Sequence, residues 1–297
     1  LGTCPRSAQD LKAHQMTNSN NLIAFQGAPG AYSNLACLAA YPNMIPLPCN
    51  SFEGAFDAVE SGAARLAMIP IENSIAGRVA DIHHLLPGTG LNIIGEHFEP
   101  IKHFLMAPKG STLKTIKRVR SHVHALGQCR KAIRELGLEA IVHVDTAGAA
   151  ADLEKSSDIE ESAIASSLAA ETYGLEILKS EMEDHAHNTT RFIVLSREAM
   201  TPSISDGLCI STFIFRVRNV PAALYKAMGG FATNGVNITK LESYMIEGDF
   251  FATQFYVDIE GHPDDPSVKL ALEELGFFSR EFRFLGVYPA SSFRQNQ

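Results

Sequence analysis

The chain has 297 residues, 45% of them hydrophobic, enough length and apolar content for about two packed domains. Lys plus Arg number 25 against 33 Asp plus Glu, and the net charge of −8 argues against nucleic acid as the main partner while leaving room for a small anionic substrate. No apolar run is long enough to span a bilayer, and residues 1–20 lack the charged-then-apolar pattern of a secretory signal, so the expected place is the cytoplasm. Those 20 residues show no periodicity and read as a disordered arm or an expression remnant. Cys4, Cys37, Cys49, Cys129 and Cys209 form no CxxC pair, so reduced thiols are expected, and neither a disulfide framework nor a zinc ribbon.

From residue 21 short apolar runs alternate with helical stretches. NLIAFQG reads as a strand and residues 31–40 as a helix. In SFEGAFDAVESG, Phe52, Ala55, Phe56 and Val59 share one helical face, with Ser51 as N-cap and Gly62 as stop. RLAMIPIE follows as a strand, and this βαβ rhythm implies a largely parallel sheet covered by helices. The rhythm continues through RVRSH, LGQCRKAIRELG, EAIVHVD, TAGAAADLEK and SAIASSLAAETYG, and FIVL at 192–195 comes after this second set of strands.

AMTPSISDG, rich in turn residues, marks a break at 199–207. FIFRVR then alternates as a half-buried strand. Asn219 and Pro221 open a helix striped by Leu224, Ala227, Met228 and Phe231, which Gly235 is placed to end. A hairpin is expected around Glu247-Gly248-Asp249. Asp265-Pro266 opens a second helix, with Val268, Ala271, Leu272 and Leu275 inward and Gly276 as stop, and EFRFLGVY is a last strand. The order βαββαβ is the ferredoxin-like split βαβ, a separate small domain over about 208–290.

Several stretches place polar groups where chemistry could sit. GAPGAYS joins a strand to a helix, and its glycines, free N–H groups and Ser33 suit either an anion or an ordinary tight turn. In IPIENSIAGRV a strand drops into Glu72, Asn73 and Ser74, after which Gly77 is expected to start a helix. Helix capping explains one of these three polar residues, and a crevice at the carboxyl end of a strand explains all of them. His122 in SHVHALGQC reads as a cap or as a proton-handling group. The histidines of EDHAHN read as a solvated loop in preference to a metal site. HNTTRFIVL sets Asn188, Thr189, Thr190 and Arg191 directly before a core strand, either as a polar loop end or as a strand end facing a cleft.

GAPGAYS, PIENSIAG, HALGQC, TAGAAA and NTTRF, in that order, resemble prephenate dehydratase, and PAALYKAM and NITKLES resemble the ACT regulatory domain that this family carries. The resemblance implies an α/β fold: a two-lobed catalytic domain like the periplasmic binding proteins over 21–199, then a ferredoxin-like ACT domain over 208–290. It implies conversion of prephenate to phenylpyruvate, water and carbon dioxide without a cofactor or metal. It also implies feedback by L-phenylalanine in a homodimer or homotetramer, and a form lacking a chorismate-mutase segment. Thr190 matches the family's key hydroxyl, which would assist the leaving hydroxyl. Glu72 and His122 would handle protons or support the site, and Ser33, Asn73, Ser74 and Asn188 would donate to substrate. Arg191 would hold a carboxylate or else pair with Glu72, and Phe192 would face the substrate ring. Asn219, Ala222, Ala223 and Leu224, with Leu241, Glu242 and Ser243, would hold the effector. Two motifs depart from the family: Ala222-Ala223-Leu224 stands for Gly-Ala-Leu, and Glu242-Ser243-Tyr244-Met245 for Glu-Ser-Arg-Pro. The competing expectations are arogenate dehydratase and a non-catalytic module that binds a small ligand.

Overall fold

The structure, a computed structural model, describes residues 20–156, 158–185, 187–218, 220–245 and 254–296. Two compact units emerge from the contacts: Leu1–Val79 with His97–Phe192, and Ala80–Glu96 with Ile193–Gln297.

The first unit begins with β1 (Leu22–Gln26), α1 (Tyr32–Ala40), β2 (Ile45–Cys49), α2 (Phe52–Glu60) and β3 (Leu66–Asn73). β1 lies between β2 and β3, parallel to both. Its Ile23, Ala24 and Phe25 are wholly buried, as a strand covered on both faces requires. Ser51 caps α2 by accepting from the Gly54 N–H, and Ala55, Phe56 and Val59 turn inward. Burying Phe56 and Val59 contributes about 1.5–3 kcal/mol each. After β3 the chain forms β4 (Gly77–Arg78), an antiparallel hairpin onto β3. The helix expected from Gly77 instead starts three residues later, as α3 (Ala80–Leu85), because Gly77 takes a positive φ of 82° that suits a turn. β5 (Asn92–Pro100) follows.

A second sheet is built from β6 (Phe104–Ala107), β7 (Arg118–His122), β8 (Glu139–His143), β9 (Glu161–Ala165) and β10 (Glu176–Lys179), in the order β10-β6-β9-β7-β8. The single helix expected over 126–137 is two: α4 (Val123–Gln128) and α5 (Arg130–Glu135), broken at Cys129. α6 (Thr146–Glu154) is capped by Asp145, and α7 (Ser167–Tyr173) by Ser166. β11 (Thr189–Ser196) then returns to the first sheet, whose order is β2-β1-β3-β11-β5. This late return produces two lobes.

The second unit carries β12 (Cys209–Val217), α8 (Ala223–Thr233), β13 (Ile238–Tyr244), β14 (Gln254–Glu260), α9 (Pro266–Phe278) and β15 (Ser279–Pro289). This is the ferredoxin-like βαββαβ order, with strands arranged β13-β14-β12-β15. Phe213, Phe215 and Val217 pack with Ala227 and Phe231 of α8 and with Val268, Ala271 and Leu275 of α9. α9 runs past Gly276 to Phe278, so that glycine is no stop. The hairpin expected at 247–249 lies outside the described residues. The segment Ala80–Glu96 packs here as well. Arg283 donates to the carbonyls of Leu86, Pro87 and Thr89, and the His83 ring meets Tyr256 edge-on at 5.1 Å.

Candidate active site

β3 and β11 are neighbours, and alternation along both strands divides their polar ends between two faces. On one face, Asn73 Oδ1 accepts from the N–H groups of Ile75 and Ala76 at 2.9 and 2.8 Å, a local turn that fixes the amide. Its Nδ2 donates to Asn188 Oδ1 at 2.8 Å and to Thr190 Oγ1 at 2.9 Å. Asn188, 4% exposed, passes the chain on by donating to Gln128 Oε1 at 2.9 Å. That oxygen also lies 2.8 Å from His103 Nε2, and His103 Nδ1 lies 2.7 Å from Tyr32 Oη. Burial lowers the His103 pKa below its ordinary value, although its Gln128 contact and the Glu183 carboxylate oppose this. Burial raises the Tyr32 phenol well above its usual range.

On the other face, Arg191 pairs with Glu72 at 3.0 Å. Arg191 is only 3% exposed and stands 6.0 Å from the Phe98 ring. Of the two roles open to Arg191, the structure gives it the ion pair. Glu72 correspondingly supports Arg191 and does not join the Thr190 group. Phe192, 1% exposed, is a core residue and presents no ring to a substrate, which corrects its expected role.

The remaining expected residues divide in the same way. Ser74 Oγ donates to the His187 carbonyl and accepts from the Thr189 N–H, so it pins the entry of β11. Ser33 is buried in the first turn of α1 and joins none of these bonds. The GAPG turn around it is a packing seam: Ser166 and Tyr173 donate to the Gly30 and Pro29 carbonyls, and the Gly30 N–H is taken by Asn34 Oδ1. His122 caps α4, accepting from the His124 N–H, and burial lowers its pKa, helped by His124. Its hydrogen bond stays within its own turn, so the structure does not bring it to Thr190.

Gln128, His103 and Tyr32 join the group without having been singled out. Gln128 ends the HALGQC run and Tyr32 lies within GAPGAYS, where the glycines and serine drew attention instead. His103 had no signal beyond being a polar residue directly before a strand. Among the described residues no cluster of three or more His, Cys, Asp or Glu side chains could hold a metal ion. The four described cysteines are free thiols.

Of the effector set, Ala222 to Leu224 form the start of α8, and Leu241, Glu242 and Ser243 lie on β13, the outermost strand of its sheet. Asn219 lies outside the described residues. Ala222 adopts the left-handed conformation, φ 60° and ψ 19°. Tyr244, in the place of the family's arginine, is 6% exposed, and its Oη accepts from Gln254 Nε2 at 2.5 Å.

Comparison with known proteins adds to this geometry. Residues 23–200 match the family model described as prephenate dehydratase. A protein of Komagataeibacter europaeus named bifunctional N-acyl-homoserine lactone acylase/prephenate dehydratase is 53% identical, over 94% of this chain and 99% of its own. An Arabidopsis thaliana chloroplastic arogenate dehydratase/prephenate dehydratase is 37% identical, over 96% of this chain and 76% of its own. The crystal structure of an Arthrobacter aurescens prephenate dehydratase in complex with L-Phe matches with a TM-score of 0.83 at 32% identity, covering 91% of this chain and 90% of that one.

Proposed function

Because the chain belongs to the prephenate dehydratase family of carbon–oxygen lyases, we propose that it converts prephenate to phenylpyruvate, water and carbon dioxide at Thr190. The observation that carries this reading is the bond from Asn73 Nδ2 to Thr190 Oγ1. The threonine oxygen accepts there, and its own hydrogen serves no other described residue, so it is available to the leaving hydroxyl. In the reaction the ring C–O bond breaks and the hydroxyl departs. The bond to the ring carboxylate breaks with it, releasing carbon dioxide, and that electron pair completes the aromatic ring. Hydroxide is a poor leaving group, so a donor placed at its oxygen lowers the barrier. The Asn73 N–H holds the threonine oxygen while its hydroxyl relays a proton to the departing hydroxyl, which leaves as water, and solvent returns a proton to the threonine. Asn188 and Gln128 hold Asn73 in that role. Substrate contact by Ser33 and proton handling by His122 enter this proposal through the family resemblance alone, since neither side chain is hydrogen-bonded to the Thr190 group.

We assign residues 21–199 to catalysis and 208–290 to a regulatory domain that binds L-phenylalanine in a homodimer or homotetramer. Support for the effector comes from the Arthrobacter relative, whose structure is a complex with L-Phe. Arogenate is the second substrate to test, since the plant relative's name carries both activities. The deciding assay measures phenylpyruvate formation from prephenate with and without L-phenylalanine, with arogenate alongside. Hydrolysis of an N-acyl-homoserine lactone, the other activity in the 53% identical relative's name, is followed in the same preparation. Prephenate turnover suppressed by L-phenylalanine supports both assignments. Absence of dehydratase turnover by folded protein overturns the catalytic one. Thr190→Ala is expected to lower kcat by about 10²–10³-fold with a smaller change in KM.

A further inference from the structure

We propose that His103 is a positioning residue for this site: its Nε2–H fixes Gln128, and through Gln128 and Asn188 it fixes the Asn73 amide that donates to Thr190. The inference rests on the role given to Thr190 above.

The polarity of the chain follows from two backbone groups. The N–H groups of Ile75 and Ala76 can only donate, so the Asn73 atom they meet is its carbonyl oxygen. Asn73 Nδ2 therefore faces Asn188 and Thr190. The Asn188 atom it meets must accept and is Oδ1, which turns Asn188 Nδ2 toward Gln128. The Gln128 atom there must accept in turn, and it is Oε1. His103 Nε2 lies 2.8 Å from that same oxygen, so Nε2 carries a hydrogen. The neutral ring is left with a lone pair on Nδ1, and Tyr32 Oη at 2.7 Å is its donor. The opposite tautomer would set two lone pairs against each other at hydrogen-bond distance.

His103 suits this task because it is 2% exposed and both ring nitrogens are engaged. Two charged or titratable groups face it: Tyr32 from α1, and Glu183, whose carboxylate accepts the His103 backbone N–H at 3.0 Å. Burial favours the neutral ring over the pull of Glu183. Protonation would leave Nε2–H in place. It would put a hydrogen on Nδ1 and turn the Tyr32 hydroxyl to the Lys102 carbonyl, 2.9 Å away. The donor aimed at Gln128 persists in either state. Without it, the Gln128 amide can rotate by half a turn at little steric cost, exchanging donor for acceptor against Asn188.

The test uses the full chain and the variants His103→Leu and His103→Gln. Nitrogen-15 spectra of the wild-type imidazole are recorded with them. His103→Leu is expected to lower kcat by about 10-fold with KM little changed, the scale of one lost hydrogen bond expressed in the transition state. His103→Gln, whose amide N–H can reach the place of Nε2–H, recovers most of that loss. The wild-type spectrum is expected to show Nε2 protonated and Nδ1 bare in the neutral ring. Wild-type kcat in folded His103→Leu, in a protein that turns over prephenate, overturns the inference. A neutral ring protonated at Nδ1 overturns it independently of any activity, so it remains testable if prephenate is not the substrate or if His103→Leu fails to fold.

Discussion

Ala222 sits at φ 60°, a region that an L side chain enters at a cost of about 1–2 kcal/mol and glycine enters freely. The related motif has glycine there, so the sequence departure and the backbone strain are one fact seen twice. Glycine also widens the unfolded ensemble, which offsets part of the relief. Ala222→Gly is therefore expected to stabilise the protein by about 0.5–1 kcal/mol, read as a raised midpoint in urea. An unchanged or lowered midpoint would show that surrounding contacts have absorbed the strain. The same scale explains Tyr244. Its hydroxyl is buried and accepts from Gln254 Nε2, so at this position the chain has no cation to offer a carboxylate, unlike the related motif.

At the scale of elements, Gly30 and Gly77 have nearly the same positive φ, 86° and 82°, and very different surroundings. A Cβ at Gly30 would stand 2.7 Å from the Ala169 Cα of α7, whereas one at Gly77 would meet nothing within 4 Å. Gly77→Ala should cost only the backbone strain, about 1–2 kcal/mol. Gly30→Ala adds a clash with backbone that cannot give, and should cost about 3 kcal/mol or more. Urea midpoints for the two variants measure the gap, and equal losses would mean that the seam between the GAPG turn and α7 is soft. The sequence marked GAPG as a turn but not as a seam, because Ala169 lies far along the chain. The same holds for the site. A polar row after the apolar run of β3, and another before that of β11, identified the two strand ends, and alternation offered either face for Arg191. The pairing of Asn73 with Asn188, 115 residues away, depends on a strand order that no local pattern carries. Gln128 and His103 were missed for that reason. Their value lies in partners brought from other elements, and neither residue type is unusual where it stands.

Across the whole molecule, the ferredoxin-like fold was legible from period and turn chemistry, but the place of Ala80–Glu96 was not. Those residues follow the ENSIAGRV stretch directly in sequence and pack with the C-terminal unit in space. Arg283 on β15 holds three carbonyls of this segment, and Arg294 closes on Glu96 with two hydrogen bonds. One end of the held segment continues back into the β3–β4 hairpin, and the other continues along β5 toward Ile101 and His103. Ile101 N–H donates to the Asn188 carbonyl at 2.8 Å, one peptide from Thr189. Effector binding can alter catalysis only if it favours one state of an element that both sites touch. The segment 80–96 is covalently joined to the site strands and tied to the ferredoxin-like sheet, which makes it the element on which to test for coupling. Arg283→Ala removes the ties at Leu86, Pro87 and Thr89 and leaves Thr190, Asn73 and the α8 turn intact. The expected result is near-wild-type turnover without effector, L-phenylalanine binding retained by equilibrium dialysis, and inhibition weakened about 10-fold or more, the size of a typical coupling energy of 1–3 kcal/mol. Inhibition of wild-type strength in this variant would mean that the segment is held for stability alone and that the coupling runs through β11.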